Sequence, residues 1–189
     1  QLLLLKASHL PTEALALIEL GLNHEQQHQE LLLTDALHLL SCNPLLPTYD
    51  AHFKHASARH ANVQWLSFDE GLRTLGRPMN ETGFAFDNER PGCTVPLRAF
   101  SIDRQAVRWA EFLPFVEAGG YNDPRWWSEA GARWRAGQPL GQPRYLRSEG
   151  SSWAQWRGGA WRVLDTRGAA SHLTLHEAEA WCRWAGRRL

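Results

Sequence analysis

Nine of the ten tryptophans lie after residue 100, and residues 14–40 contain none. That asymmetry splits the chain into two kinds of material. Residues 14–40 are leucine-rich with helical spacing, which predicts a long helical segment. The last half mixes tryptophan with glycine and arginine and has few long periodic runs. There, large rings have to supply the core that regular elements do not. Helices first and a mixed segment after predict an α+β, multidomain organisation. With 189 residues, 43% of them hydrophobic, the chain suffices for one domain or parts of two.

Pro11-Thr12-Glu13 opens the first helix, since threonine caps and proline cannot continue a preceding helix. Gly21 is its weak point, and a break there would let Asn23 cap a second helix. Asn43-Pro44 and Pro47 end the segment. The opening Gln1-Leu2-Leu3-Leu4-Leu5-Lys6 is too short to cross a membrane and reads as the tail of an earlier helix. Both ends look cut, so a fragment is expected. Lysine plus arginine equals aspartate plus glutamate at 20 each, which gives no electrostatic case for nucleic acid. Cys42, Cys93 and Cys182 are odd in number and widely spaced, pointing to a reducing, cytoplasmic setting rather than a disulfide framework.

His24-Glu25-Gln26-Gln27-His28 lies within the helical run. At about 100° per residue, with His24 at zero, His28 falls near +40°, Leu31 near −20°, Asp35 near +20° and His38 near −40°. Two imidazoles four residues apart face the same way, a spacing that suits a divalent transition metal. Gln27 sits about 60° from His24 and reaches the space in front of such a metal, whereas Glu25 points elsewhere. His38 lies about 15 Å along the axis from His28 and cannot share its metal. The bland alternative is a solvated polar face. The same letters satisfy H-E-x-x-H, in which Glu25 would be the general base of a zinc peptidase. The extended form of that motif is excluded by Gln29-Glu30-Leu31-Leu32-Leu33-Thr34 after His28, but a distant glutamate ligand stays open. Two ligands are not a site, and His9 is a weak third candidate because Pro11 separates it from the helix.

Residues 49–62 read as a linker, with His52, His55 and His60 solvent-exposed. Residues 63–66 and 71–76 read as strands, 84–91 as a loop and 94–102 as one strand. Residues 108–116 read as a helix that Pro114 can kink and Gly119-Gly120 stop. Residues 121–170 read as loops and one hairpin, 152–156 and 161–164 around Gly158-Gly159. Thr174 caps a last helix, with Glu177 at the capping-box position and Gly186 past its end.

The segment Gly21-Leu22-Asn23-His24-Glu25-Gln26-Gln27-His28-Gln29-Glu30-Leu31-Leu32-Leu33-Thr34-Asp35 closely resembles the H-x-x-x-H-x-E stretch of the non-haem iron sulfoxide synthases of ergothioneine biosynthesis. Phe84-Ala85-Phe86-Asp87-Asn88-Glu89-Arg90-Pro91 resembles the opening signature of that family's second domain, which is similar to formylglycine-generating enzyme and has a C-type-lectin-like fold. Residues 172–189 are similar to a helix of the same domain. Pro91-Gly92-Cys93-Thr94 departs from the family's basic run at a position that is not catalytic.

The resemblance implies the C-terminal part of a DinB-like helical bundle over residues 1–48, a linker over 49–62 and a partial formylglycine-generating-enzyme-like domain over 63–189. It implies iron(II), Fe(2+), held by three histidines, two of them His24 and His28, with Gln27 contacting a histidine-derived substrate. The third histidine, the family's active-site tyrosine and its cysteinyl-substrate contacts have no counterpart here. The implied reaction joins trimethylhistidine to a cysteinyl thiol (γ-glutamylcysteine or cysteine) with O2 as co-substrate. Ovothiol- and selenoneine-type synthases, a zinc metallopeptidase and an inactive binding module are the alternatives. Small-molecule substrates, no nucleic acid, no membrane and a monomer are expected, and the fragment alone is expected to be inactive.

Asp87, Asn88 and Glu89 fit a structural loop better than catalysis or calcium. The later tryptophans fit core packing better than an aromatic cage for trimethylammonium. Cys182 fits a buried small hydrophobe, and His172 with His176 is not expected to bind a second metal.

Overall fold

The computed structural model describes residues 10–50, 52, 63–139 and 141–189. His9, His55, His60 and most of the expected linker lie outside the described residues; His52 is exposed, as expected. The chain divides into two compact units, Gln1–Ala36 with Ser67–Ser101, and Leu37–Leu66 with Ile102–Leu189. The architecture is the predicted mixture of helix and sheet. Among the described residues no helix is long and apolar enough to cross a membrane.

The first unit contains most of α1 (Thr12–Cys42). The expected break at Gly21 is not there: α1 is continuous, and the Asn23 amide donates to the Glu19 carbonyl at 2.9 Å instead of capping. Glycine costs a helix about 1 kcal/mol relative to alanine, and the surrounding leucine, alanine and glutamate carry that penalty. No residue of α1 is buried, and Leu31, Leu32 and Leu33 are all exposed. β2 (Gly71–Leu75) pairs antiparallel with β3 (Cys93–Leu97), with Gly71 opposite Leu97 and Leu75 opposite Cys93. β1 (Trp65–Phe68) pairs with β4 (Phe100–Asp103), and within the first unit Phe68 stacks on Phe100. The single strand expected over 94–102 is therefore two, because the ladder changes partner at Arg98-Ala99.

The second unit holds the core. α2 (Trp109–Glu117) contributes Trp109, Phe112 and Phe115, and α4 (Leu175–Trp184) contributes Ala180, Trp181 and Cys182. α2 runs through Pro114, which withholds only the N–H that would reach the Ala110 carbonyl. Trp109, Trp127, Trp156 and Trp181 are buried, and the indole N–H groups of the last three find acceptors. Trp127 donates to the Gly120 carbonyl at 3.0 Å, Trp181 to the Glu111 carbonyl at 3.0 Å and Trp156 to the Leu37 carbonyl at 3.2 Å. β5 (Leu146–Glu149), β6 (Ser152–Arg157) and β7 (Ala160–Val163) form an antiparallel sheet in that order. The β6–β7 hairpin was expected; β5 and α3 (Glu129–Ala136) were read as loop. The α3 signal was present in Ser128, whose hydroxyl caps the Gly131 N–H at 3.1 Å. Gly131 and the short length hid it.

α4 begins as predicted. The Thr174 hydroxyl accepts from the Glu177 N–H, and the Glu177 carboxylate accepts from the Thr174 N–H at 2.7 Å. Gly186 adopts the left-handed region at φ 66°, where glycine avoids a Cβ clash. The three cysteines are free, with Cys42 and Cys93 exposed and Cys182 buried.

Candidate functional site

Helical geometry brings His24 and His28 together: their ring centroids are 4.5 Å apart with planes at 87°. Both side chains are exposed. Two neutral imidazoles one turn apart offer two nitrogen donors of the kind a divalent transition metal takes. Among the described residues no group of three or more His, Cys, Asp or Glu is placed to share a metal. His38 is engaged elsewhere, its Nδ1 lying 2.9 Å from the Tyr145 hydroxyl.

An open cleft of about 500 Å³ adjoins His24. From α1 it is lined by Leu20, His24 and Gln27, so Gln27 shares the cleft with His24 while Glu25 does not line it. The facing wall is Phe86, Asp87, Asn88 and Glu89, a short 3-10 turn. Sequence reasoning took these residues for a loop that ties its own backbone, and so they do. Glu89 Oε2 accepts from the Phe86 N–H at 2.7 Å, and Asp87 Oδ1 accepts from the Asn88 N–H at 2.9 Å. That they also line the cleft with His24 and Gln27 was not legible from spacing, because the two walls lie far apart in the chain.

Two arginines hold the loop over residues 81–84 that leads into that turn. Arg90 donates to the carbonyls of Glu81 at 3.1 Å and Gly83 at 2.9 Å. Arg77 donates to the carbonyls of Phe84 at 2.5 Å and Thr82. A charged donor shared between carbonyls fixes a loop more firmly than a neutral one. Gly76, at φ 80°, lets the Glu89 carbonyl approach: a Cβ at Gly76 would stand 2.9 Å from that oxygen. The Arg77 N–H bonds the same carbonyl at 2.8 Å. The sequence Gly76-Arg77 thus positions the cleft wall that the residues 86–89 form.

His172 and His176 do not form a metal pair. The His172 ring meets Tyr145 edge-on at 5.2 Å, and the His176 ring tilts against Trp134 at 5.8 Å. Burial, reinforced by the Arg157 charge, pushes His172 below the usual imidazole range. Burial raises the Cys182 thiol, consistent with an inert core cysteine.

Residues 52–189 match the family model of the sulfatase-modifying factor enzyme 1-like domain. The chain is 36% identical over 167 residues to hercynine oxygenase of Mycolicibacterium thermoresistibile, covering 88% of this chain and 36% of that protein. It is 35% identical over 168 residues to hercynine oxygenase of Mycobacterium tuberculosis, covering 89% of this chain and 38% of the relative. It is 33% identical over 121 residues to formylglycine-generating enzyme of Streptomyces coelicolor, covering 57% of this chain and 38% of the relative. The chain therefore spans little more than a third of the length of these relatives.

Proposed function

Because the chain belongs to the sulfatase-modifying factor enzyme 1-like domain family, we propose that it is a segment of an iron(II)- and O2-dependent sulfoxide synthase acting on hercynine, the trimethylated histidine betaine. The observation that carries the reading is one cleft shared by His24 and Gln27, with the His28 ring against His24. It stands in a chain 36% identical to a protein named for oxygenating hercynine.

In this reading α1 belongs to a DinB-like helical bundle, and residues 63–189 belong to the sulfatase-modifying-factor domain. His24 and His28 hold iron(II) through two neutral nitrogens, and a third donor comes from outside the described residues. Bound iron supplies the activation of O2 and the oxidative coupling of sulfur to carbon. The atoms balance: hercynine C–H, a cysteinyl S–H and O2 give a carbon–sulfur bond, one oxygen on sulfur and one water. Gln27 offers a carboxamide donor and acceptor to the substrate imidazole. The turn over residues 86–89 walls the opposite side and limits where that imidazole sits. Three free cysteines suit a cytoplasmic enzyme, and we take it to act as a monomer on small molecules, γ-glutamylcysteine or cysteine being the thiol.

The test uses the full-length protein loaded anaerobically with iron(II). Oxygen consumption that requires both hercynine and a cysteinyl thiol, with a product of the expected sulfoxide mass, supports the proposal. His24→Ala and His28→Ala should abolish it, and Glu25→Gln should not. Tight zinc binding with peptide cleavage that Glu25→Gln removes would sink it.

A further inference from the structure

The unit formed by Leu37–Leu66 and Ile102–Leu189 contains a cavity of about 410 Å³. Its wall includes Tyr121, Trp134, Arg135, Arg144, Tyr145 and His172. Its charges are arranged for an anion. Seven arginines elsewhere in the described chain sit within 3.5 Å of a carboxylate, but these two do not. Among the described residues Arg144 has no hydrogen-bond or ion-pair partner. Arg135 donates to the Tyr121 carbonyl, and its buried Nε has no acceptor.

The cavity wall also holds one carboxylate, Glu177, and that group is already saturated. It accepts from the Tyr121 hydroxyl at 2.6 Å, the Thr174 N–H at 2.7 Å and the Thr174 hydroxyl at 2.9 Å. Three donors disperse its charge, so an entering anion meets two guanidiniums that no acid neutralises.

The wall is also held in an unusual backbone conformation. Tyr145 at φ 65° and His172 at φ 61° are both non-glycine residues in the left-handed region. Their rings meet edge to face at 5.2 Å and 86°. The Tyr145 hydroxyl is fixed by His38 Nδ1 at 2.9 Å. Such strain persists where surrounding structure over-determines it, and it clusters at ligand clamps. The His172 ring lines the cavity beside Tyr145, and as a neutral imidazole it offers one donor and one acceptor.

We propose that this cavity binds a small organic carboxylate, amino acid to dipeptide in size, with Arg144 and Arg135 on the carboxylate and the Tyr145–His172 pair against the rest of the molecule. The volume lies at the lower end of small-molecule sites, roughly 300–1,000 Å³. A guanidinium fork matches a carboxylate bidentately and a neutral amide poorly.

The experiment follows the 19F signal of 4-fluorobenzoate titrated with the full-length protein, with 4-fluorobenzamide as its neutral counterpart. Saturable binding of the carboxylate is expected, with the amide weaker by about tenfold or more. Arg144→Gln, at an exposed side chain, should weaken the carboxylate by about tenfold, whereas Arg125→Gln, paired with Asp123 elsewhere, should leave it unchanged. No binding up to roughly 10 mM, equal affinity for the amide, or insensitivity to Arg144→Gln overturns the site. An equal loss in Arg125→Gln also overturns it, since that marks general charge attraction.

Discussion

The Tyr121 hydroxyl donates a 2.6 Å hydrogen bond to Glu177 Oε1 inside the tryptophan core, where both residues are only 2% exposed. Tyr121→Phe keeps the ring packing against Phe115 and Trp127 but strips that oxygen of its donor. A buried carboxylate losing a hydrogen bond costs about 2 kcal/mol, and the loss should appear as a lower midpoint of urea unfolding. Burial first, then the Glu177 charge, raises the phenol above 10.0 in the folded state. Its stabilisation is therefore complete below pH 10.0 and falls as the unfolded phenol ionises above it. Tyr121→Phe should flatten that alkaline decline; an unchanged slope would remove Tyr121 from the explanation.

Gly120 is required for space. A Cβ there would stand 2.1 Å from Phe115 Cε2 and 2.6 Å from the Phe115 carbonyl oxygen, and Phe115 is fully buried. Gly120→Ala forces the ring or the turn to move, at about 3 kcal/mol, the upper end of ordinary overpacking. Gly119→Ser is the contrast: a Cβ there meets nothing, but φ 74° strains the backbone by about 1–2 kcal/mol. Thermal unfolding should rank the two, Gly120→Ala lower.

Local signals carried the parts of this fold that local physics decides. Thr174, Glu177 and Gly186 wrote both ends of α4, and the spacing of His24 and His28 wrote their shared face. Signals that tertiary context overrides were misread. Gly21 did not break α1, Gly131 did not prevent α3, and one expected strand became β3 and β4 because pairing partners change. The cleft was half legible. The residues of α1 were found from phase, but the loop leading into the turn that faces them is held by Arg77 and Arg90 through backbone carbonyls, a pattern with no side-chain signature. The Arg144 cavity was not legible at all, because left-handed Tyr145 and His172 follow no composition rule.

His172 makes the opposite pH prediction from Tyr121. Burial, with the Arg157 charge added, depresses its folded pKa below 6.5. The unfolded chain therefore binds the proton more readily, and stability present above pH 6.5 declines as pH falls below it. His172→Asn tests this at small backbone cost, because asparagine accepts the left-handed region that His172 occupies at φ 61°. The variant should lose part of the decline below pH 6.5 in urea titrations repeated across pH. An identical acid limb in variant and parent would show that other groups govern it.

Gln27 and His28 should separate cleanly in the full-length protein. Gln27 lines the cleft with His24 but is not part of the imidazole pair, and under the proposed function its carboxamide serves the substrate and not the metal. Gln27→Ala should leave iron content unchanged and raise the KM for hercynine by about tenfold, the size of one lost hydrogen bond in a partly desolvated cleft. His28→Ala should instead lower iron retention after dialysis against a weak chelator. Loss of iron in Gln27→Ala would make it a ligand or a structural support. Unchanged hercynine KM, with iron retained, would leave the substrate imidazole without a partner on α1 and would point to the facing turn, where the Asn88 carboxamide lines the same cleft.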